Sequence, residues 1–316
     1  MTIEPDLSVA LGPLALRNPV LTASGTCGYG EELALFFDPA RLGGIVVKSL
    51  SLLPREGNPP PRLVETPSGM LNSIGLQNVG VQAFIDEKLP SLAKRGTAIV
   101  ASIFGSTVEE FAELASRLDG RPGVSALEMN ISCPNTAEGG VHFGVDPDST
   151  RRVTEAVRRG TRLPVIVKLS PNVTDITVIA RAALDGGADI LSLVNTWFGM
   201  SIDVESRRPV LATGSGGLSG PAIRPMAVHL VRKVARAVRA PLIGIGGIAN
   251  TRDALEFILA GASAVQVGTA TFVDPCAAPR VVDGIADYCR RHGIARVSDL
   301  VGAVREEGGS PEAARR

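Results

Sequence analysis

Short β-branched and apolar runs alternate with segments of helical period from one end of the chain to the other. Extended runs are predicted at 20–24 (VLTAS), 44–49 (GIVVKS), 98–104 (AIVASIF), 126–132 (ALEMNIS), 164–170 (PVIVKLS), 190–195 (ILSLVN), 241–246 (PLIGIG) and 264–269 (AVQVGT). Helical periodicity is predicted between them at 107–118, 148–159, 174–185, 221–239 and 251–260, and beyond the last of them at 277–292. The last five strands are apolar runs rather than strict apolar–polar alternation. A strand reads that way when both of its faces are buried, as in a parallel sheet covered by helices. Strand–helix repetition of this kind means an α/β fold. Eight units in 316 residues favour a closed (β/α)8 TIM barrel over an open doubly wound sheet. Ahead of the first strand, Leu7–Leu11 and Leu14–Leu16 flank Gly12-Pro13, which predicts a β-hairpin closing the bottom of the barrel.

The connections are uneven. Long ones, rich in Gly, Pro, Asn and Ser, follow the second, fourth and sixth strands at 50–80, 133–147 and 196–220. A long structureless loop inside a compact domain is usually functional. All three are βα connections, so a barrel gathers them on its C-terminal face, where barrel active sites lie. A single domain is expected over 1–302. The polar stretch 303–316, ending in Glu306 to Arg316, is expected to fray as a tail.

Composition narrows the function classes. The hydrophobic fraction is 45% and the charged fraction 20%, which provides a large core and excludes wholesale disorder. The 32 Lys and Arg balance 32 Asp and Glu, so there is no electrostatic footprint for nucleic acid or an anionic membrane. No apolar run reaches the roughly 18 residues of a membrane span. The acidic N-terminus, Met1 to Asp6, does not read as a signal peptide, and a cytoplasmic location is the expectation. Cys27, Cys133, Cys276 and Cys289 contain no C-x-x-C, and His142, His229 and His292 lie far apart, so no metal site is expected.

Four strands end in polar residues that packing would not choose: Lys48, Asn130, Lys168 and Asn195. A buried ammonium needs an anion or strong acceptors. One reading pairs each lysine with a core carboxylate such as Glu128; the other places all four at the mouth of a barrel, where strand-end polar residues bind ligands or catalyse. The last two strands end in Gly246-Gly247 and Gly268-Thr269, whose glycines let backbone N–H groups approach a phosphate. Gly214 to Gly220 has the wrong spacing for a dinucleotide fingerprint. Cys133 follows the fourth strand in Asn130-Ile131-Ser132-Cys133-Pro134-Asn135, so its thiol is a candidate general base. Cys27, in Gly25-Thr26-Cys27-Gly28, is a weaker rival, and Cys276 and Cys289 are read as packing. The loop Asn72 to Asn78, with Asn130, Asn135 and Asn195, makes a set of uncharged hydrogen-bonding groups suited to a small ring bearing amides or imides.

Taken together, these segments resemble class I dihydroorotate dehydrogenase, a flavin barrel of pyrimidine biosynthesis. The matching stretches are Thr22 to Gly25, Val47 to Ser49, Asn72 to Asn78, Asn130 to Asn135, Val167 to Ser170, Asn195-Thr196, Leu218 to Pro221, Gly246-Gly247 and Gly268-Thr269. They run in the family order over residues 7–292. Ile74 to Asn78 and Gly25 to Gly30 look like the type B branch, a catalytic FMN subunit that passes electrons to a separate subunit carrying FAD and a [2Fe–2S] cluster, and finally to NAD.

The resemblance implies one FMN per chain, held by Ser24, Lys48, Ser49, Ser102, Asn130, Lys168, Val194, Gly220, Gly246, Gly247, Gly268 and Thr269. Ser102 stands where many relatives have asparagine. Dihydroorotate would meet Lys48, Asn72, Ser73, Ile74, Gly75, Leu76, Asn130, Asn135, Asn195 and Thr196. Cys133 would be the base and Lys168 would stabilise charge on the reduced flavin. The implied assembly is a heterotetramer of two catalytic and two electron-transfer chains. The alternatives are a homodimeric branch that uses fumarate directly, a Schiff-base aldolase acting through Lys168 or Lys48, and a barrel that only binds a phosphorylated ligand.

Overall fold

The computed structural model describes residues 4–132 and 143–305. Cys133, Asn135 and His142 lie outside the described residues, as does the predicted tail beyond residue 305. Eight strands, β1 (Val20–Thr22), β2 (Gly44–Val46), β3 (Ala98–Ile103), β4 (Val124–Asn130), β5 (Val165–Leu169), β6 (Ile190–Leu193), β7 (Leu242–Ile245) and β8 (Ala264–Val267), close in chain order into a barrel. Every neighbouring pair is parallel. All residues of β1, β2, β5, β6, β7 and β8 are buried, which explains why the later strands read as mainly apolar runs rather than strict alternation.

The outer helices are α1 (Val108–Leu118), α2 (Pro147–Gly160), α3 (Ile176–Asp185), α4 (Arg224–Ala237), α5 (Thr251–Ala260) and α6 (Ala277–His292). Their starts are written in the sequence. Thr107, Asp146 and Asp175 cap α1, α2 and α3 by accepting from the N–H groups of Glu110, Ser149 and Thr177. Asn250 and Asp253 form a reciprocal capping box on α5. Helix α1 buries Phe111, Leu114, Ala115 and Leu118, one stripe at helical spacing. No helix among the described residues is long and apolar enough to cross a membrane.

The N-terminal hairpin pairs Val9–Leu11 with Leu14–Leu16. Gly12 turns with φ of 58° and lies against the carbonyl of Asp189, the residue before β6, so the hairpin sits at the N-terminal end of the barrel.

Three connections differ from expectation. Between β2 and β3 a helical stretch runs over 81–95, with a π turn, Phe84–Lys88, between the α turns Val81–Ala83 and Leu89–Leu92. The widened turn lies just before Pro90, which has no N–H to continue an α-helical ladder. The first βα connection carries only 3-10 turns, at Leu33–Leu35 and Pro39–Arg41. The long second and sixth connections are not structureless. They combine into a four-stranded antiparallel sheet in the order Trp197–Gly199, Gly216–Ser219, Gly69–Asn72, Leu63–Thr66. These strands are three or four residues long and rich in glycine, too short for a period-2 pattern to stand out.

Candidate active site

Four uncharged side chains form a hydrogen-bonded line across the C-terminal ends of four strands. The hydroxyls of Ser102 on β3 and Ser49 beyond β2 are 2.9 Å apart. Asn130 at the end of β4 donates from Nδ2 to Ser49 Oγ at 3.3 Å. Asn195 beyond β6 donates from Nδ2 to Asn130 Oδ1 at 3.4 Å. Ser102 is 0% exposed, so it braces Ser49 from behind and offers no surface of its own to a ligand. Asn130 and Ser49 are likewise buried, and their orientation is fixed by this line.

Beside the line stands Lys168 on β5. Its Nζ donates to Ser24 Oγ at 3.3 Å and lies 3.9 Å from Glu128 Oε1. Both charged side chains are buried, and each gives the other a partner that burial demands. The pairing with a core carboxylate therefore holds for Lys168, which at the same time reaches the residues following β1. Lys48 approaches the same place: its Nζ stands 3.5 Å from where a Cβ on Gly25 would lie.

On the other side of the mouth, three glycine turns close together. Gly220 and Gly247 have φ of 94° and 76°. A Cβ on Gly247 would fall 2.7 Å from the Gly220 carbonyl oxygen, and one on Gly246 would fall 2.8 Å from Ala227 Cβ. Side chains at these positions would fill the cradle, and positive φ makes them strained as well. Thr269 Oγ1 donates to Ser219 Oγ at 2.8 Å, which brings the loop after β8 to the same cradle. Gly268 lies against Ala23, and Val194 donates its backbone N–H to Ile245. The donor set fits FMN: backbone-lined glycine turns suit a phosphate tail, and Lys168 with the amide line suits a flat, hydrogen-bonding ring.

The residues expected on the substrate side lie on or beside the small sheet and in the loop that follows Asn72. Asn72 ends one sheet strand and donates to the Gly217 carbonyl at 3.4 Å. Thr196 packs against Gly217 so closely that a Cβ there would meet its Oγ1 at 2.1 Å. Ile74, Gly75 and Leu76 form a turn in which Gly75 and Leu76 have φ of 75° and 58°. Ser73 is buried, its N–H bonded to the Arg62 carbonyl and its hydroxyl without a partner among the described residues.

Two residues organise these loops: Asn78, which ends the expected Asn72 to Asn78 segment without a role of its own there, and Asn172, which the sequence does not single out. Asn78 is buried; its Oδ1 accepts from the N–H groups of Ser51 and Gly80, and its Nδ2 donates to Ser51 Oγ and the Leu76 carbonyl. Asn172 donates to the Thr196 carbonyl at 2.9 Å and accepts from the Phe198 N–H at 3.1 Å, tying the sixth connection to the end of β5. Asn172 has no signal beyond being an asparagine in a loop, a common turn residue.

Two of the described cysteines are poorly suited to proton transfer. Cys27 is buried and donates from Sγ to Thr22 Oγ1 at 3.2 Å; burial pushes its thiol up to about 11. Cys289 is buried in α6, and burial raises it too. Cys276 precedes α6 and approaches the Phe36 carbonyl. Among the described residues, no three of His, Cys, Asp and Glu gather into a metal site.

A protein-family model described as dihydroorotate dehydrogenase matches residues 6–288. The chain is 60% identical over 302 residues to a protein of Pelobacter propionicus named dihydroorotate dehydrogenase B (NAD(+)), catalytic subunit, covering 96% of this chain and 99% of that one. Proteins of the same name from Geobacter sp. strain M21 and Geotalea daltonii are 57% and 55% identical, over 95% and 96% of this chain and 99% of each relative. With the family matched over nearly its full length and the strand-end polar line in place, the chain belongs to the dihydroorotate dehydrogenase family.

Proposed function

We propose that this protein oxidises (S)-dihydroorotate to orotate in de novo pyrimidine biosynthesis. The observation that carries the reading is the line Ser49–Asn130–Asn195, held by its own hydrogen bonds and flanked by Lys168. The dihydroorotate dehydrogenase family depends on FMN, and one FMN bound per chain supplies the acceptor for the hydride leaving C6 of the substrate. Ser24, Lys48, Ser49, Asn130, Lys168 and Val194 would hold its ring, and Gly220, Gly246, Gly247, Gly268 and Thr269 its phosphate tail.

The protein's own part is placement and proton transfer. Asn72, Asn130, Asn195 and Thr196 orient the dihydropyrimidine ring through its amide and imide edges. Lys48 meets its carboxylate. Asn135 joins them by motif, as do Ser73 to Leu76. Holding both C–H bonds toward their acceptors turns a bimolecular encounter into an oriented one. Cys133 Sγ, as thiolate, takes the C5 proton. Lys168 places positive charge where the reduced ring accumulates negative charge.

The electrons leave through a partner subunit carrying FAD and a [2Fe–2S] cluster, with NAD as final acceptor and two chains of each kind in the assembly. Two facts support this: the relatives' name specifies NAD(+) and a catalytic subunit, and this sequence has no dinucleotide fingerprint. The reaction is assigned to the cytoplasm. Purified protein is expected to be yellow, with a spectrum bleached anaerobically by dihydroorotate; colourless protein that takes up no FMN sinks the reading. Copurification from native extract should yield a complex with FMN, FAD and iron. Fumarate-dependent turnover by the isolated chain, undiminished without a partner, would return the electron exit to the fumarate branch.

A further inference from the structure

We infer that Glu128 is a positioning residue: from the layer beneath the site, its carboxylate keeps the Lys168 side chain an ammonium held against Ser24. The inference rests on the function proposed above only in naming flavin as the group that Lys168 serves.

Glu128 on β4, Ser192 on β6 and Gln266 on β8 meet inside the barrel, all three from even-numbered strands and at most 1% exposed. Barrel interiors are built in such layers, and branched apolar residues normally fill them. Here the layer is polar and encloses a carboxylate, whose burial costs several kcal/mol unless it is compensated.

The compensation is lopsided. Glu128 Oε2 accepts from Ser192 Oγ at 3.0 Å and from Gln266 Nε2 at 2.7 Å. Glu128 Oε1 accepts no hydrogen bond among the described residues and faces Lys168 Nζ at 3.9 Å. Buried side-chain oxygens usually find a partner, and in this layer Gln266 Oε1 also has none among the described residues. Two donors on one oxygen fix the carboxylate plane and leave the other oxygen for the ammonium. Lys168 has three N–H donors, of which Ser24 takes one. Near Ser24, Lys48 Nζ stands 3.5 Å from where a Cβ on Gly25 would lie, and the charge of Lys48 acts in turn on buried Cys27; Cys133, three residues beyond Asn130, lies outside the described residues. Without Glu128, Lys168 would be a buried ammonium facing no carboxylate, and desolvation disfavours the charged form. With Glu128, positive charge is in place before negative charge develops on the ring, and no proton must arrive to complete it.

The test compares the wild type, Glu128→Gln and Gln266→Met. In the FMN-free full-length chain, Lys168 is labelled with acetic anhydride at pH 8 and read by peptide mass spectrometry, since only the unprotonated amine reacts. Labelling at least five-fold faster in Glu128→Gln is expected. Gln266→Met removes a hydrogen bond and keeps the charge, so its Lys168 must stay as slow as the wild type; a merely structural effect would speed both. In the FMN-loaded protein, the pH dependence of the flavin midpoint potential should show one more proton taken up per two electrons in Glu128→Gln than in wild type. Equal labelling rates or equal proton counts in those two proteins overturn the inference. Should Glu128→Gln not fold, Glu128→Asp takes its place: withdrawing the charge by one methylene must speed the labelling, and a wild-type rate overturns the inference. Wild-type protein that binds no FMN would sink the proposed function, while the labelling would still decide the role of Glu128.

Discussion

Thr269 donates its hydroxyl to Ser219 Oγ over 2.8 Å, joining the loop after the last barrel strand to the small antiparallel sheet. In that sheet Ser219 pairs with Met70 and Gly217 with Asn72. One hydrogen-bonded piece therefore runs from the glycine cradle to the substrate-side loop, so the two ends of the site are held in register.

Thr269→Val keeps the shape and removes the hydroxyl. A lost hydrogen bond of about 1 kcal/mol corresponds to a roughly five-fold rise in the FMN dissociation constant. Ser219→Ala should do the same, and the double variant should be little worse than either single, because both remove one shared interaction. Titration of the FMN-free protein with FMN measures all three. Fully additive losses would show that the two hydroxyls act separately.

Asp253 anchors the other cradle loop. Its Oδ2 accepts from the N–H groups of Ala249 and Asn250 at 2.9 and 3.2 Å, and its Oδ1 pairs with Arg224. The carboxylate is buried, so Asp253→Ala leaves two loop donors and a guanidinium short of their acceptor. Breaking a buried pair costs about 3–5 kcal/mol. The lower end is expected, because Arg224 Nε also lies 3.3 Å from Glu256. Thermal unfolding should fall by roughly 6–12 °C at 2–4 °C per kcal/mol. FMN affinity should fall with it, since Gly246 and Gly247 lie at the start of the same loop. A melting temperature within two degrees of wild type would remove the anchoring role.

The contrast between the barrel and its mouth explains what the sequence could disclose. Strands such as Val165–Leu169 and Ile190–Leu193 are buried on both faces, so each is an apolar run that stands out from the helices around it. Lys168 and Asn130 were visible because they interrupt such runs at the mouth. The small sheet was not, because Gly216–Ser219 and Gly69–Asn72 are short and glycine-containing, and the pairing that joins them spans about 145 residues of sequence. The partner of Lys168 was named as one of two readings, since nothing local tells an inward-facing glutamate from a site residue. The roles of Asn78 and Asn172 were hidden for a different reason: a latch and an ordinary turn use the same amide.

Asn78 gives the latch a measurable consequence. Asn78→Ala removes four hydrogen bonds that hold residues 51–80 in shape, while touching none of the residues that line the cradle. If two or three of them contribute about 1 kcal/mol each, the KM for dihydroorotate should rise by one to two orders of magnitude. FMN affinity should change less than three-fold. An unchanged KM would mean that other bonds suffice to hold the loop, such as those from Asn58 Nδ2 to the Ser73 carbonyl and from Arg62 to the Asn58 carbonyl and Gln77.

Cys27 predicts an alkaline limb of stability. Its folded value of about 11 lies above the ordinary 9.0 because burial disfavours the thiolate. A group raised in the folded state contributes stability in full below its unfolded value and loses it as pH climbs through the folded one. The wild type should therefore lose about 2–3 kcal/mol between pH 9 and 11 that Cys27→Ala, which has nothing to titrate there, does not lose. Urea unfolding of both proteins at pH 8, 9.5 and 11 measures the gap, and parallel curves would refute the assignment. Iodoacetamide at pH 8 should also leave Cys27 unmodified until the chain unfolds.

Cys133 and Lys168 divide the proposed chemistry between a proton and a charge, and their variants should fail differently. In Cys133→Ser the flavin stays bound, but a hydroxyl is a far weaker base at neutral pH than a thiol that can ionise. Reduction of the flavin by dihydroorotate should slow by about 10²–10⁴, the span of a lost general base. In Lys168→Ala the lost cation leaves Glu128 Oε1 facing no ammonium, so FMN should bind more weakly and its midpoint potential should fall. Anaerobic rapid mixing separates the two, with dihydroorotate reporting on the base and dithionite bypassing it. If Cys133→Ser is reduced by dihydroorotate at the wild-type rate, another group takes the C5 proton. If Lys168→Ala keeps the wild-type FMN affinity and potential, the ammonium serves the fold and not the flavin.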